Sequence, residues 1–416
     1  MNHVGAKLIG RGGVLAVAAL LSAACGSADE GVSGGEVDDI SQPTQLATGV
    51  DGKHHLKMLI SKNVSAEVDR SWIQRLRSDP AADPMLQAPA MKRHVHDLRA
   101  AKLDETENLG DNAVGVVTPD GLYRGHIAAD TDLSLLQEDG SFAQAGGSIE
   151  PRGLSGGVDN RTRLTGANVP GGVGQVSTSA GLGSGTMVGV RVMRTAAHVV
   201  IRHTTGGGVP SAQNSVRFDY RRDGATIGTR TWSLGYYYGG NYISQGCATA
   251  KDLNGDGDIS DAGEYAWGYF QNRVACEVED WALAILPQNW WGPAGMIWVG
   301  YRMLGSGETN VRLTNGGYPG CGITDAPNPC TANSYYRDAS TACKLGTFVD
   351  GVRVWNNGCD QSGGMSGGTT QEYSTGYFLG HPISGCEGCS STFPNRSMGY
   401  NQWLFDFQTQ VRLDNP

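Results

Sequence analysis

Charge is scarce in this chain. Asp, Glu, Lys and Arg make up 18% of its 416 residues, and acids outnumber bases 41 to 32, for a formal net charge of -9. No nucleic acid partner is expected, because phosphate recognition needs a concentrated basic surface. Long apolar runs are missing too: after Val14 to Leu21 no segment approaches the roughly eighteen apolar residues of a spanning helix. Cysteine is absent from residue 26 to residue 246. What is abundant is glycine, 62 residues, set among short aromatic and β-branched runs. That composition points to an all-β body rich in turns and away from a helical bundle.

The chain begins with an export pattern over residues 1–24: basic Lys7 and Arg11, the apolar stretch Val14 to Leu21, and the small residues Ser22-Ala23-Ala24. Leu21 to Cys25 resembles a bacterial lipoprotein cleavage box, although Ser22 stands where an aliphatic residue is usual. Secretion, or anchoring at the bacterial cell envelope through a lipid tether on Cys25, is therefore expected. The other eight cysteines lie between Cys247 and Cys389, an even number suited to disulfides in an oxidising compartment. Their connectivity is open on sequence alone; pairing of sequence neighbours gives Cys247–Cys276, Cys321–Cys330, Cys343–Cys359 and Cys386–Cys389. A redox or zinc role for the Cys386/Cys389 pair is disfavoured, because no second CxxC accompanies it.

Residues 25–50 are polar, acidic and rich in Gly and Ser, as in a flexible linker. Residues 51–153 read as a small separate unit, partly helical over Ser65 to Arg77 and Met91 to Ala101. The Gly-rich stretch Gln144 to Gly157, with Pro151-Arg152-Gly153, is a place for proteolytic nicking, and a precursor boundary is set near Arg152 to Leu154. Strand-like runs then recur between turns: Gly172 to Val176, Gly185 to Arg194, His198 to His203, Val216 to Tyr220 and Thr229 to Leu234. They predict a β-barrel or sandwich over residues 154–416. Asn401 to Val411 has the spacing of a terminal helix.

Three short motifs carry chemistry. Serine is a poor nucleophile unless a base takes its proton, an acid orients that base, and donors wait for the oxyanion. Thr195-Ala196-Ala197-His198 supplies an imidazole after a strand-like run. Glu279-Asp280-Trp281, ahead of the apolar Ala282 to Leu286, supplies a carboxylate suited to burial. Gly363-Gly364-Met365-Ser366-Gly367-Gly368 sets a serine in a turn whose Gly364 and Ser366 amides form an oxyanion hole. Taken singly, each has an ordinary reading: a core histidine, a surface turn acid, a Gly-rich linker. Gly153 to Gly157 also fits the GxSxG pattern and reads as a flexible cleavage segment. The order His198, Asp280, Ser366 is what joins them.

These motifs resemble those of chymotrypsin-like serine proteases, and Cys359 to Gly367 is similar to the serine loop of bacterial glutamyl endopeptidases. Gly157 to Arg163 resembles the opening of those mature enzymes. The resemblance implies a chymotrypsin-like double β-barrel with a C-terminal helix, preceded by a small, partly helical pro-region over residues 51–153. It implies a secreted serine endopeptidase acting through an acyl-enzyme on protein or peptide substrates, with its own pro-segment as a partner and no cofactor for catalysis. Asp360, Gln361 and His381 fall at substrate-pocket positions. Asp360 reads two ways, since trypsin places its pocket acid there and glutamyl enzymes also carry an aspartate in that loop; His381 favours cleavage after acidic residues. The chain departs from the pattern at Val199, Met365, Gln361 and Pro382. A silent binding or adhesion module and an esterase with the same triad are the competing functions.

The 82 positions between His198 and Asp280 (280 minus 198) exceed what a compact barrel needs, and residues 247–276 form an inserted acidic segment. Within it Asp252, Asn254, Asp256 and Asp258 alternate as hard oxygen ligands, and the run resembles EF-hand and dockerin-like calcium loops. Gly263 replaces the usual acid at the twelfth position, with Glu264 or Asp261 as substitutes. A structural calcium is expected there.

Overall fold

The computed structural model describes residues 58–62, 67–69, 99–100, 113–118, 121–127 and 159–415, except 179–180, 206–210, 214–215, 234, 257–263, 265–266, 288–297, 322–325, 352 and 385–394. The export pattern, Cys25, the linker, the cleavage stretch around Arg152, Asp258, Asp261, Gly263 and the Cys386/Cys389 pair lie outside these residues.

The all-β expectation with a C-terminal helix holds. One sheet runs, edge to edge, through Thr229–Trp232, Arg217–Tyr220, Val173–Thr178, Gly181–Met187, Val192–Thr195, Ala282–Ile285, Gly235–Gly239, Ala113–Thr118, Gly121–Ile127, Met58–Lys62 and Arg99–Ala100. A second runs through Leu345–Asp350, Val354–Asn357, Arg396–Met398, Phe378–Ser384, Thr369–Glu372, Leu313–Gly317, Tyr335–Asp338 and Arg161–Leu164. Neighbours pair antiparallel except Met58–Lys62 with Arg99–Ala100. Val192–Thr195 and Ala282–Ile285 are buried on both faces, so their side chains do not alternate apolar with polar as a half-exposed strand would.

The helix Gln402–Asp414 starts where Asn401 Oδ1 accepts the Leu404 N–H at 2.9 Å, capping an amide that has no partner within the helix. Leu404, Phe407 and Val411 recur on one helical face and are buried. Phe407 meets Trp281 edge-on at 5.8 Å and Trp403 stacks on Phe407 at 5.4 Å. The helix thereby covers the residue that follows Asp280.

Two local expectations differ from what is seen. The run His198 to His203 is not one strand: Ala197–Val200 forms a single helical turn and only Ile201–Arg202 is extended. A ladder partner would compete for the His198 N–H, which a carboxylate takes instead. In the segment read as helical over Ser65 to Arg77, the described residues Glu67–Asp69 are a strand pairing in parallel with Ser211–Gln213. Of the stretch before residue 154, the described strands Met58–Lys62, Arg99–Ala100, Ala113–Thr118 and Gly121–Ile127 belong to the larger sheet. Long-range pairing has overridden local propensity there.

Among the described residues three disulfides join sequence neighbours, Cys247–Cys276, Cys321–Cys330 and Cys343–Cys359. The first ties the start of the inserted segment to the helix Arg273–Glu279, which ends one residue before Asp280.

Candidate active site

Asp280 is fully buried and both of its carboxylate oxygens face His198. Oδ1 accepts the His198 backbone N–H at 3.0 Å and Oδ2 lies 2.8 Å from the ring Nδ1. The backbone bond follows from the helical turn, whose first amides have no acceptor inside so short a helix. With Nδ1–H donated to the carboxylate, Nε2 is left as the basic atom, and the side chain is 21% exposed. Burial raises the Asp280 pKa, but the His198 charge and its two hydrogen bonds outweigh it and hold the carboxyl below its ordinary value.

A third donor comes from the inserted segment. Tyr269, on the short helix Trp267–Gln271, donates its hydroxyl to Asp280 Oδ2 at 2.9 Å. Burial first, and the Asp280 charge second, push the phenol well above its ordinary pKa, so it remains a donor. Spacing alone offered no sign of this residue.

The serine turn is held against the histidine turn by close backbone packing. A Cβ at Gly367, whose φ is +77°, would drive into Thr195 Oγ1, so only glycine admits this approach. Gly183 fills the space between Val199 and the Ser366 carbonyl. Ser184 fastens the turn three ways: its N–H donates to Ser366 O at 2.8 Å, its Oγ donates to Gly364 O at 2.8 Å, and the same Oγ accepts the Tyr318 N–H. Thr195 Oγ1 donates back to Ser184 O at 2.7 Å. Ser184 is a second residue without a local signal, being 182 positions before the turn it fastens (366 minus 184).

Ser366 is half-buried. Among the described residues no hydrogen bond joins its hydroxyl to the His198 ring, a bond that in unliganded hydrolases is commonly long and tightens on substrate binding. None of the described residues accepts from the Gly364 or Ser366 N–H. Two amides in one turn thus stand available to a developing negative charge.

The three expected pocket residues are all buried, each with different partners. Asp360 is fully buried, and its Oδ2 accepts the Asn160 N–H at 2.6 Å. Gln361, also buried, donates to Asn357 Oδ1 at 3.3 Å, and its Oε1 has no partner among the described residues. His381 is buried behind the acid: its Nε2–H donates to Asp280 O at 2.9 Å and its Nδ1 accepts from Arg194 Nε at 3.0 Å. Burial, then Arg194, drive the His381 pKa down to about 3, which fits the neutral ring those two bonds require. Arg194 is fully buried; among the described residues its partners are His381, Gln408, the Met398 carbonyl and sulfur, the Gly399 carbonyl and the Phe378 and Tyr400 rings, with no carboxylate among them.

In the inserted loop, Gly255 N–H donates to Asp252 Oδ1 and Asn254 Nδ2 donates to Asp256 Oδ2. Glu264 is buried; its Oε1 accepts from the Leu253 and Asn254 amides. Among the described residues, its Oε2 has no partner and no three acidic, histidine or cysteine side chains converge.

No protein-family model and no curated protein matches the chain. Among solved structures it is similar to a Glu endopeptidase in complex with MPD, at 13% identity and a TM-score of 0.44, over 62% of this chain and 98% of that one. It is also similar to the Vibrio cholerae VesB protease, at 14% identity and a TM-score of 0.37, over 61% of this chain and 67% of the other. At these values neither likeness decides a function, so the geometry of the site has to.

Proposed function

We propose that this protein is a secreted serine endopeptidase. His198 Nε2 takes the Ser366 proton as the hydroxyl attacks a peptide carbonyl, Asp280 stabilises the imidazolium, and the Gly364 and Ser366 amides receive the oxyanion. Collapse of the tetrahedral intermediate expels the amine, protonated by His198, and leaves an acyl-enzyme that water hydrolyses by the same route. The observation that carries the reading is the double hold of Asp280 on His198. A merely structural aspartate has no need to bind both the ring and the backbone of one histidine.

A preference for cutting after acidic residues is part of the proposal. The Asp360 carboxylate is buried and takes an internal N–H, a poor arrangement for binding an incoming Lys or Arg side chain. Behind the site Arg194 is a buried cation whose partners among the described residues are all neutral. Its field favours negative charge nearby.

We also propose calcium for the loop of Asp252, Asn254, Asp256 and Glu264. The support is Glu264 Oε2, which is buried and has no partner among the described residues, since a desolvated carboxylate oxygen is costly without a cation or donor.

The test is to incubate the purified chain, before and after cleavage near Arg152, with a fluorophosphonate probe and a mixed library of peptides and simple esters. Labelling at Ser366, with peptide cleavage lost in Ser366→Ala and reduced by about 10⁴-fold in Asp280→Asn, is the expected result. A folded, processed chain that is neither labelled nor active sinks the proposal; ester turnover without peptide cleavage makes it an esterase.

A further inference from the structure

The strand Ala113–Thr118 belongs, by the sequence reading, to a removable pro-segment. In the fold it lies inside the larger sheet and pairs antiparallel with Gly235–Gly239, Val117 opposite Tyr236 and Gly115 opposite Tyr238. Ala113, Val114, Val116 and Val117 are buried, and the three valines join the same apolar cluster as Tyr236, Tyr238 and Trp281. Gly115 lies against the Tyr238 ring, where any Cβ would collide with it. The contact therefore has the fit of a core, not of a loosely held inhibitor.

Its position bears on the catalytic acid. The Gly239 N–H donates to Trp281 O at 3.2 Å, and the next amide, Gly240 N–H, donates to Ala113 O at 3.0 Å. On its other side Gly235–Gly239 pairs with Ala282–Ile285, the strand that follows Asp280. Without Ala113–Thr118, Gly235–Gly239 would become an edge with open backbone donors and acceptors and bare tyrosine rings, a state that folded sheets avoid.

We propose that the hairpin Ala113–Ile127 is a permanent strand pair of the protease body, retained non-covalently after cleavage near Arg152 to Leu154, so that the mature protein is a two-chain species. Its occupant is a segment of this same chain, docked by β-augmentation. The proposal rests on the reading of residues before 154 as a pro-segment, and hydrolysis of one peptide bond is the only covalent step it needs.

The experiment uses the full chain carrying Ser366→Ala, with a site-specific protease sequence placed between Arg152 and Leu154, so its outcome does not depend on catalytic activity. After complete cutting, verified by intact mass, the fragment with Ala113–Ile127 is expected to co-elute with the body in native size exclusion and to separate only in denaturant. A body that elutes alone with an unchanged melting temperature overturns the proposal. Gly115→Val in the same chain is expected either to release the fragment after cutting or to prevent folding. Retention equal to that of the parent contradicts the seat against Tyr238.

Discussion

The Tyr269 hydroxyl donates to Asp280 Oδ2 at 2.9 Å, the oxygen that also meets the His198 ring. One carboxylate oxygen thus serves two donors, and the tyrosine fixes the direction in which it faces the imidazole. Tyr269→Phe is expected to lower kcat by about tenfold, corresponding to about 1.4 kcal/mol, with KM little changed and labelling of Ser366 retained but slower. Equal kcat in the two proteins, measured on the same peptide, would show that the tyrosine only fills space.

The Cys247–Cys276 bridge spans 29 positions and ties the inserted segment beside the acid. Replacing both cysteines with serine is expected to cost about 2–4 kcal/mol of stability. It should also reduce kcat, since the helix Arg273–Glu279 leads directly into Asp280. Denaturant unfolding and steady-state kinetics on the same preparation check the two effects. A midpoint shift without any kinetic change would separate the bridge from the site.

His203 and His381 are both buried, and burial first of all pushes each pKa from 6.5 down to about 3. Below about pH 6.5 the unfolded chain protonates both rings while the folded protein keeps them neutral until near pH 3. The unfolded state binds more protons in that window, so stability falls as the pH falls through it, by about 1.4 kcal/mol per pH unit for each histidine. Urea midpoints measured between about pH 7 and about pH 4 should decline steadily, and less steeply in His381→Gln. A flat profile would falsify the buried neutral assignment.

For the acidic loop, calcium at millimolar concentration is expected to raise the melting temperature of the full chain, and Glu264→Gln or Asp256→Ala to remove that increase. Magnesium, smaller and more reluctant to shed water, should not replace it. An identical rise in parent and variants would assign the effect to calcium bound elsewhere.

Much of the fold is legible in residue order. The strands Val173–Thr178, Val192–Thr195, Arg217–Tyr220 and Thr229–Trp232 lie within or close to runs of the expected pattern. The helix Gln402–Asp414 begins at the expected asparagine. His198 and Asp280 could be chosen because each sits in a short motif of recognisable chemistry, and the structure brings them into contact. Tyr269, Ser184 and Arg194 could not, since an isolated tyrosine, serine or arginine has no local pattern that separates a site residue from any other.

Spacing and composition are enough for strands and the terminal helix, because each depends on residues close along the chain, whereas the cysteine pairing stayed open until the fold brought Cys247 to Cys276, Cys321 to Cys330 and Cys343 to Cys359. Only the three-dimensional arrangement decided that His381 lies behind the acid beside Arg194, that Asp360 is occupied by an internal amide, and that Ala113–Thr118 completes the sheet carrying the strand after Asp280. Those contacts join residues a hundred or more positions apart in the chain. Burial and backbone pairing select such partners only once the whole sheet has formed, so nothing in the local pattern can announce them.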